Sequence, residues 1–533
     1  MGEMDKEFQT RVTKLRDLSE SEKVALICNQ QFRLNTIQDR VEQLKCAHQA
    51  GQCVYCTDKD KTIEELNDTI KTLRAKIYGR SSERRRRKKD GDHGDKKSKS
   101  STRVRLPSEQ YPNAKIKVET IAEASPPKCS ECQTTMTDSG MRETSERLEL
   151  IPMEIFIVKT ERVRYHCKCC QSAPITAALP ARIAVNTSLN DSVLIEASLA
   201  KFYDLIPTER FAKMLKRSSV DISDKLLFSA QCYLAKAFYS VYVMLKQEVL
   251  VARVVHADES PHRMLERNEG NYLWYLWSFC TKTSVYFEIH NTRAGSVSIE
   301  FLKESKAQVL LSDVYSGYIR TIREINEYRQ PKGIALLTSA HCNDHARRYF
   351  FYAKEHDCAD KVLDVYEKIY AIETKVQQLI EKPIYSEPEN SEKALQLRQT
   401  MDPLFEQIYN LSCEILLDNT QTSSIGRAAN YFLKNLKGLT LFMTDLEISI
   451  SNAPAERSVR NPAVGRKTWY GTHSRRGAET AAIHFSIFES CRLNNVNPRE
   501  YYNYMAQLYN EGKPLLTPFS YSQLSRSKPP PGS

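Results

Sequence analysis

Between residues 251 and 313 the hydrophobic pattern changes period, and no other feature constrains the fold of this chain as much. Val251 to Asp258 reads as a strand, Asn271 to Phe279 as a second and Ser284 to His290 as a third, with Glu269-Gly270-Asn271 supplying a turn. Ser296 to Glu304 has helical spacing. Gln308-Val-Leu-Leu-Ser-Asp313 is almost wholly apolar, the pattern of a strand covered on both faces. Ile334-Ala-Leu-Leu is expected as a fifth strand. Helical patterns flank this region, over residues 190–250 before it and 345–440 after it, where Val362, Val365, Ile369, Ile372, Val376 and Leu379 step by threes and fours. Three strands, a helix and a buried fourth strand is the element order of a ribonuclease-H-like core, an α/β mixed five-stranded sheet with helices.

A chain of 533 residues exceeds what one core can organise, since single cores stop growing at roughly 250–300 residues. No apolar run reaches the ~18–20 residues needed to cross a bilayer. The first residues lack a signal pattern, and Lys6 breaks a myristoylation motif. Membrane integration and secretion are therefore not expected, and the cytoplasm is. In that setting the fifteen cysteines point to thiols and metal sites rather than disulfides.

Two cysteine pairs stand out. Cys129-Ser-Glu-Cys132 and Cys167-Lys-Cys169-Cys170 flank a strand-rich interval, the signature of a zinc ribbon. Cys129, Cys132, Cys167 and Cys170 have the spacing to close a four-thiolate structural Zn²⁺ site. A tighter group, Cys46, His48, Cys53 and Cys56, is either a second zinc site or a set of free thiols on a helical hairpin. Ile63, Leu66, Ile70, Leu73 and Ile77 form the a/d seam of a short coiled coil, for self-association or for packing on its own domain. Residues 209–226 have the look of helix, turn, helix with Ser223 as an N-cap, read either as a DNA-reading unit or as a packing hairpin.

Charge is concentrated. Residues 80–105 hold twelve Lys/Arg against four acids, so this stretch supplies +8 of the net +11. Arg84, Arg85, Arg86, Arg87, Lys88 and Lys89 make either a solvated linker or a contact to polyanionic DNA.

Asp258 closes the first strand and Asp313 the fourth, strands that are neighbours in such a sheet. Glu456 follows Asn452, an expected helix cap, and Pro454, by about one turn. Singly, each acid suits a turn or a helix start equally well. Brought together, three carboxylates require cations, and hard oxygen donors suit Mg²⁺ or Mn²⁺ in a two-ion site for phosphoryl transfer. Arg457, Arg460, Arg466 and Lys467 lie close by in sequence and could hold phosphates; Trp469 could stack on an unpaired base or serve the core. His341-Cys342-Asn-Asp-His345-Ala-Arg347-Arg348 resembles a metal cluster at first sight, but irregular ligand spacing and a helix running on through Tyr349-Phe350 favour a structural reading of His341 and Cys342, with Arg347 and Arg348 as candidate DNA contacts.

These stretches resemble a known family. Val255-His-Ala-Asp258-Glu-Ser-Pro, Ser312-Asp313-Val-Tyr-Ser-Gly-Tyr318, Cys342-Asn-Asp-His345-Ala-Arg-Arg-Tyr-Phe350 and Asn452-Ala-Pro-Ala-Glu456-Arg457 through Trp469 look like the motifs of transposases of the insertion-sequence sixty-six type. Departures at Ser260, Ser451, Ala453 and Thr468 remove no acid. The resemblance implies an Asp/Asp/Glu (DDE) triad of Asp258, Asp313 and Glu456. It further implies metal-dependent cleavage and strand transfer on double-stranded DNA at transposon ends and target, with a homo-oligomer and accessory proteins from the same element as partners. The rivals are another ribonuclease-H-like, structure-specific nuclease and a retired, non-catalytic DNA-binding protein.

The expected organisation is a helical N-terminal region (1–83), a basic linker (84–105), the zinc ribbon (106–180) and a helical region (181–250). The core follows in two parts (251–344 and 441–510) around a helical insertion (345–440), and ends in a disordered tail (511–533).

Overall fold

The computed structural model describes residues 154–165, 175–266, 272–380 and 387–527, with a few positions between 107 and 135. The coiled-coil seam, the basic run Arg84–Lys89, the group Cys46, His48, Cys53 and Cys56, and the paired cysteines Cys129, Cys132, Cys167 and Cys170 lie outside the described residues. The chain divides into two compact units. Residues 154–161 and 217–220 belong to the smaller, and 162–216 with 221 onward belong to the larger. In the smaller unit residues 154–161 have no regular structure.

In the larger unit a short antiparallel pair, Arg164–Tyr165 with Ile175–Thr176, precedes four helices. These are α1 (Asp191–Ser198), α2 (Thr208–Arg217), α3 (Asp224–Ala237) and α4 (Tyr239–Val251). Ser223 caps α3 as its sequence suggests, its hydroxyl accepting the Leu226 amide. The sheet follows: β1 (Val254–Arg263), β2 (Leu273–Cys280), β3 (Val285–His290), helix α5 (Ser296–Leu302), β4 (Val309–Ser312), helix α6 (Ser316–Arg329) and β5 (Thr338–His341). Its strand order is β3-β2-β1-β4-β5. The first three strands run antiparallel, whereas β1, β4 and β5 are mutually parallel.

Helices α7 (Asn343–Tyr352), α8 (Asp357–Ile380), α9 (Glu387–Gln399), α10 (Asp402–Asp418) and α11 (Ser424–Thr440) come next. They are followed by α12 (Ala453–Trp469), α13 (Arg475–Leu493), α14 (Pro498–Asn510) and α15 (Pro518–Ser527).

Alternation along the strands sends side chains to two cores. Val255, Ala257, Trp277, Phe279 and Leu310 pack on Val297, Phe301 and Leu302 of α5 and Tyr318 and Ile325 of α6. The other face is shared. Val254, Val309, Leu311 and Ala340 join Phe350, Tyr366, Phe405 and Phe432 of the helical segment, while Leu276, Cys280 and Phe287 meet α1, α3 and α13. Edge strand β3 is closed by side chains, because the Phe287 and Val285 amides donate to the hydroxyls of Ser486 and Ser490 of α13, each at 2.9 Å.

Four expectations need correction. The fifth strand is Thr338–His341, not Ile334–Leu337: Asn326 clasps the Leu337 amide (2.7 Å) and carbonyl (2.9 Å), and pairing with β4 begins only at Thr338. Asp258 is not the end of β1, which continues beside β2 to Arg263. Asn452 occupies the N-cap position of α12, but its side chain makes no cap bond. Residues 511–533 are not wholly tail: α15 spans Pro518–Ser527, with the Leu516 carbonyl accepting the buried Tyr501 hydroxyl (2.5 Å) and Tyr521 against Tyr501 and Tyr504.

Candidate active site

Register places the two aspartates. Val254, Val255 and His256 of β1 pair with Val309, Leu310 and Leu311 of β4. Two residues further along each strand stand Asp258 and Asp313, at the point where β1 parts from β4. On the far side Ser312 pairs with His341, so the residues that follow are Asp313 and Cys342. Asp258, Asp313 and Cys342 therefore line the carboxyl-end edge of three parallel strands, the edge where open α/β sheets leave a crevice.

The start of α12 is pinned to this edge by Asn452. Its Nδ2 donates to the Ala257 carbonyl at 2.8 Å, its Oδ1 lies 3.2 Å from His256 Nδ1, and its own amide donates to Cys342 Sγ at 3.2 Å. Six residues on, Ser458 Oγ meets Ser278 Oγ of β2 at 2.8 Å. These bonds fix the helix at its start, and Glu456 sits in its first turn. Glu456 Oε1 lies 3.7 Å from Cys342 Sγ and 3.4 Å from His345 Nδ1, and Oε2 is 3.8 Å from an Arg348 nitrogen.

The electrostatics are lopsided. Burial pushes the Asp258 carboxyl well above the ordinary carboxylate range, and the negative charges of Glu259, Asp313 and Glu456 push it further. Against them stands the Glu259 amide, which donates to Asp258 Oδ1 at 2.9 Å. Glu259 is also raised, by burial first, although Tyr318 Oη donates to it at 2.6 Å and Arg293 at 2.9 and 2.7 Å. Arg293 in turn stacks on Tyr315 at 4.2 Å, and the Tyr315 amide donates to Asp313 Oδ1 at 3.3 Å. His256 is held near pKa 4 by burial, so it is neutral and bonds Asn452 as an uncharged ring. The outcome is an acidic edge of oxygen donors in which like charges accumulate, with no cation among the described residues set against Asp258. That donor set and that excess of charge fit a hard divalent ion.

The expected DNA contacts are distributed differently. Arg457, Arg460 and Lys467 are exposed along α12, and Arg466 reaches Ser260 Oγ at 3.4 Å. Arg347 and Arg348 lie on α7, and Arg348 faces Glu456. Trp469 is half-buried against the core around α13, with the Lys201 ammonium 6.0 Å from its ring.

Sequence reasoning gave no role to Glu259, Arg293 and Tyr318, and set aside the metal-cluster likeness of the run that holds His345. Adjacent residues of a strand face opposite ways, so Glu259 offered no spacing signal, and its partners lie 34 and 59 residues away. His345 carried a local signal, one helical turn from the Cys342 cap position.

Comparison with known proteins identifies the family. A family model described as the zinc-finger binding domain of transposase IS66 matches residues 126–171, which include Cys129, Cys132, Cys167 and Cys170. The chain is 23% identical to the uncharacterized protein y4hP of Sinorhizobium fredii (strain NBRC 101917 / NGR234) over 75% of this chain and 74% of that one. It is also 23% identical to y4jD of the same organism, over 69% of this chain and 72% of the relative. Among the described residues no helix is long and apolar enough to cross a membrane. The model described as "Transposase IS66 family" matches residues 187–480, more than half of the sequence and the whole of the acidic edge, and the chain belongs to that family.

Proposed function

We propose that this protein is a DNA transposase with a ribonuclease-H-like core in which Asp258, Asp313 and Glu456 are the catalytic carboxylates. The observation that carries the reading is the setting of Asp258, a buried carboxyl surrounded by the charges of Glu259, Asp313 and Glu456. A fold that gathers carboxylates without a neutralising side chain is organised for cations.

Mg²⁺ or Mn²⁺ bound there would supply activation of the attacking water or 3′-hydroxyl and neutralisation at the leaving oxygen. The chain's own groups divide the remaining work. Asp258 and Asp313 present their carboxylates from neighbouring strands, and the Asn452 clamp delivers Glu456 from α12. Glu259, held by Arg293 and Tyr318, braces the strand behind Asp258, while the Arg293–Tyr315 stack links that brace to the loop carrying Asp313. Exposed Arg457, Arg460 and Lys467 provide positive charge for substrate phosphates beside acids that would repel them.

Recognition of the element's ends is assigned to the zinc-finger segment, with Cys129, Cys132, Cys167 and Cys170 holding a structural Zn²⁺, and to the pair α2–α3. The basic run Arg84–Lys89 adds sequence-independent affinity. Cleavage and strand transfer at two DNA ends call for a homo-oligomer.

The test is strand cleavage of a labelled duplex carrying the element's terminal repeat, with purified protein and Mg²⁺ or Mn²⁺. Asp258→Asn, Asp313→Asn and Glu456→Gln should each lower the rate by about 10³-fold or more, the loss expected when several kcal/mol of charge stabilisation are removed. Gel-shift affinity for the same DNA should persist. Cleavage near the wild-type rate by any of the three would remove that residue from the triad. A preference for branched junctions over terminal repeats would favour the structure-specific nuclease instead.

A further inference from the structure

Cys342, His345 and Glu456 bring three different donors together: Sγ, Nδ1 and Oε1 all lie within 4.8 Å of one another. We propose that they form a site for a thiophilic divalent ion of the Zn²⁺ class, distinct in chemistry from the hard-ion site proposed at the acidic edge and sharing Glu456 with it. The sharing part of this proposal rests on the catalytic reading of Glu456; the binding part does not.

The separations suit a tetrahedral ion. With Zn–S near 2.3 Å and Zn–N or Zn–O near 2.0–2.1 Å, ligand atoms should stand about 3.3–3.6 Å apart. Sγ to Oε1 is 3.7 Å and Nδ1 to Oε1 is 3.4 Å. Among the described residues, one of the three donors has no hydrogen-bond partner. His345 Nδ1 is shielded from solvent and makes no hydrogen bond among the described residues, even to the carboxylate beside it. The sulfur is cradled as a thiolate would be: the Asn452 amide donates to it at 3.2 Å. Without a metal, burial raises the Cys342 thiol, and the charges of Asp344 and Glu456 raise it further, while the backbone amides of Asn452 and His345 oppose that rise. Cys342 is moreover the N-cap residue of α7, where the helix dipole favours an anionic sulfur. Mixed sulfur and imidazole donors select Zn²⁺ or Co²⁺ and discriminate against Mg²⁺. A zinc ion at this position holds Glu456 Oε1 and withdraws it from the hard-ion site, so zinc acts as a brake on Mg²⁺-dependent cleavage.

Co²⁺ is the probe. Titrated into the purified full-length protein with its zinc-finger zinc in place, Co²⁺ should produce a sulfur-to-metal charge-transfer band in the near ultraviolet for one added equivalent. The band should vanish in Cys342→Ser, and apparent affinity should fall by about tenfold or more in His345→Ala, a loss typical of weakened metal ligation. Should the serine variant fail to fold, the histidine variant decides the point alone. An unchanged band in His345→Ala, or no band in the wild type beyond exchange into the zinc finger, overturns the site. In a second arm, micromolar Zn²⁺ should inhibit Mg²⁺-dependent cleavage by the wild type. In His345→Ala, compared with its own zinc-free rate, inhibition should require about tenfold more zinc. Equal inhibition of both overturns the brake. Absence of cleavage with every hard ion would count against the transposase reading, while the cobalt titration would still decide the metal site.

Discussion

Arg398 and Asp258 are both charged groups withdrawn from water, and the protein treats them in opposite ways. Arg398, in the helical segment, has a fully buried side chain and satisfies its whole guanidinium. Nε and Nη2 donate to Glu373 at 2.9 and 2.6 Å, and Nη1 faces the carbonyls of Phe442, Asp445 and Ile448 at 2.6, 2.8 and 3.0 Å. Asp258 has one amide donor and three like charges for company. A buried charge given every partner it can use belongs to the architecture. One given almost none, and pushed toward its neutral form, is what the proposed cation site calls for.

That contrast can be broken most forcefully at Arg398. Replacing it with Met should leave Glu373 buried without its cation, bonded among the described residues only by Gln377 Nε2 at 2.8 Å, and strip the partner from three carbonyls, costing about 3–5 kcal/mol of stability. Urea unfolding of the two proteins measures this, and a loss below about 1 kcal/mol would show that the helical segment tolerates the same incomplete pairing as the acidic edge. The converse change sharpens the comparison. Because the folded-state pKa of Asp258 lies above its unfolded value, the native state binds that proton more tightly. Its contribution is complete at acid pH, below the ordinary carboxylate range, and is lost as pH rises through the raised pKa. Asp258→Asn should therefore stabilise the protein without added divalent ions by roughly 0.5–2 kcal/mol at pH 8, with a smaller gain at pH 5 and a smaller gain when Mg²⁺ is present. Thermal melts across that range provide the check; equal melting temperatures at pH 8 would mean that Asp258 bears no uncompensated charge. The smallest effect sets the baseline. Arg499 and Glu196 make a two-pronged pair at 2.6 and 2.7 Å, but with the arginine side chain 58% exposed, so Arg499→Ala should cost under about 1 kcal/mol and less in high salt.

How much of this was legible in the sequence depends on the reach of each signal. Strand alternation and the apolar run before Asp313 revealed four of the five sheet strands, because those patterns arise from residues within a few positions of each other. Ile334–Leu337 misled because two of its apolar side chains, Ile334 and Leu336, are 40% and 48% exposed, and the chain there is shaped by Asn326 rather than by a ladder. Asn452 looked like a helix cap, since Asn before Ala-Pro-Ala-Glu favours one. Contacts with His256, Ala257 and Cys342, more than a hundred residues distant, outweighed that local preference.

The sequence by itself determined that the chain alternates helical and strand regions in an α/β order, that Asp258 and Asp313 belong to the first and fourth strand segments, and that its motifs are those of a transposase family. Only the tertiary structure decided that Glu259 turns away to be held by Arg293 and Tyr318, that Asn452 secures α12 across two strands, and that Cys342 and His345 face Glu456. The physical reason is range. Periodicity and capping are written in neighbouring residues, whereas a gathering of charges depends on strand register and on which helix is pinned to which edge. Those are properties of the whole packed sheet.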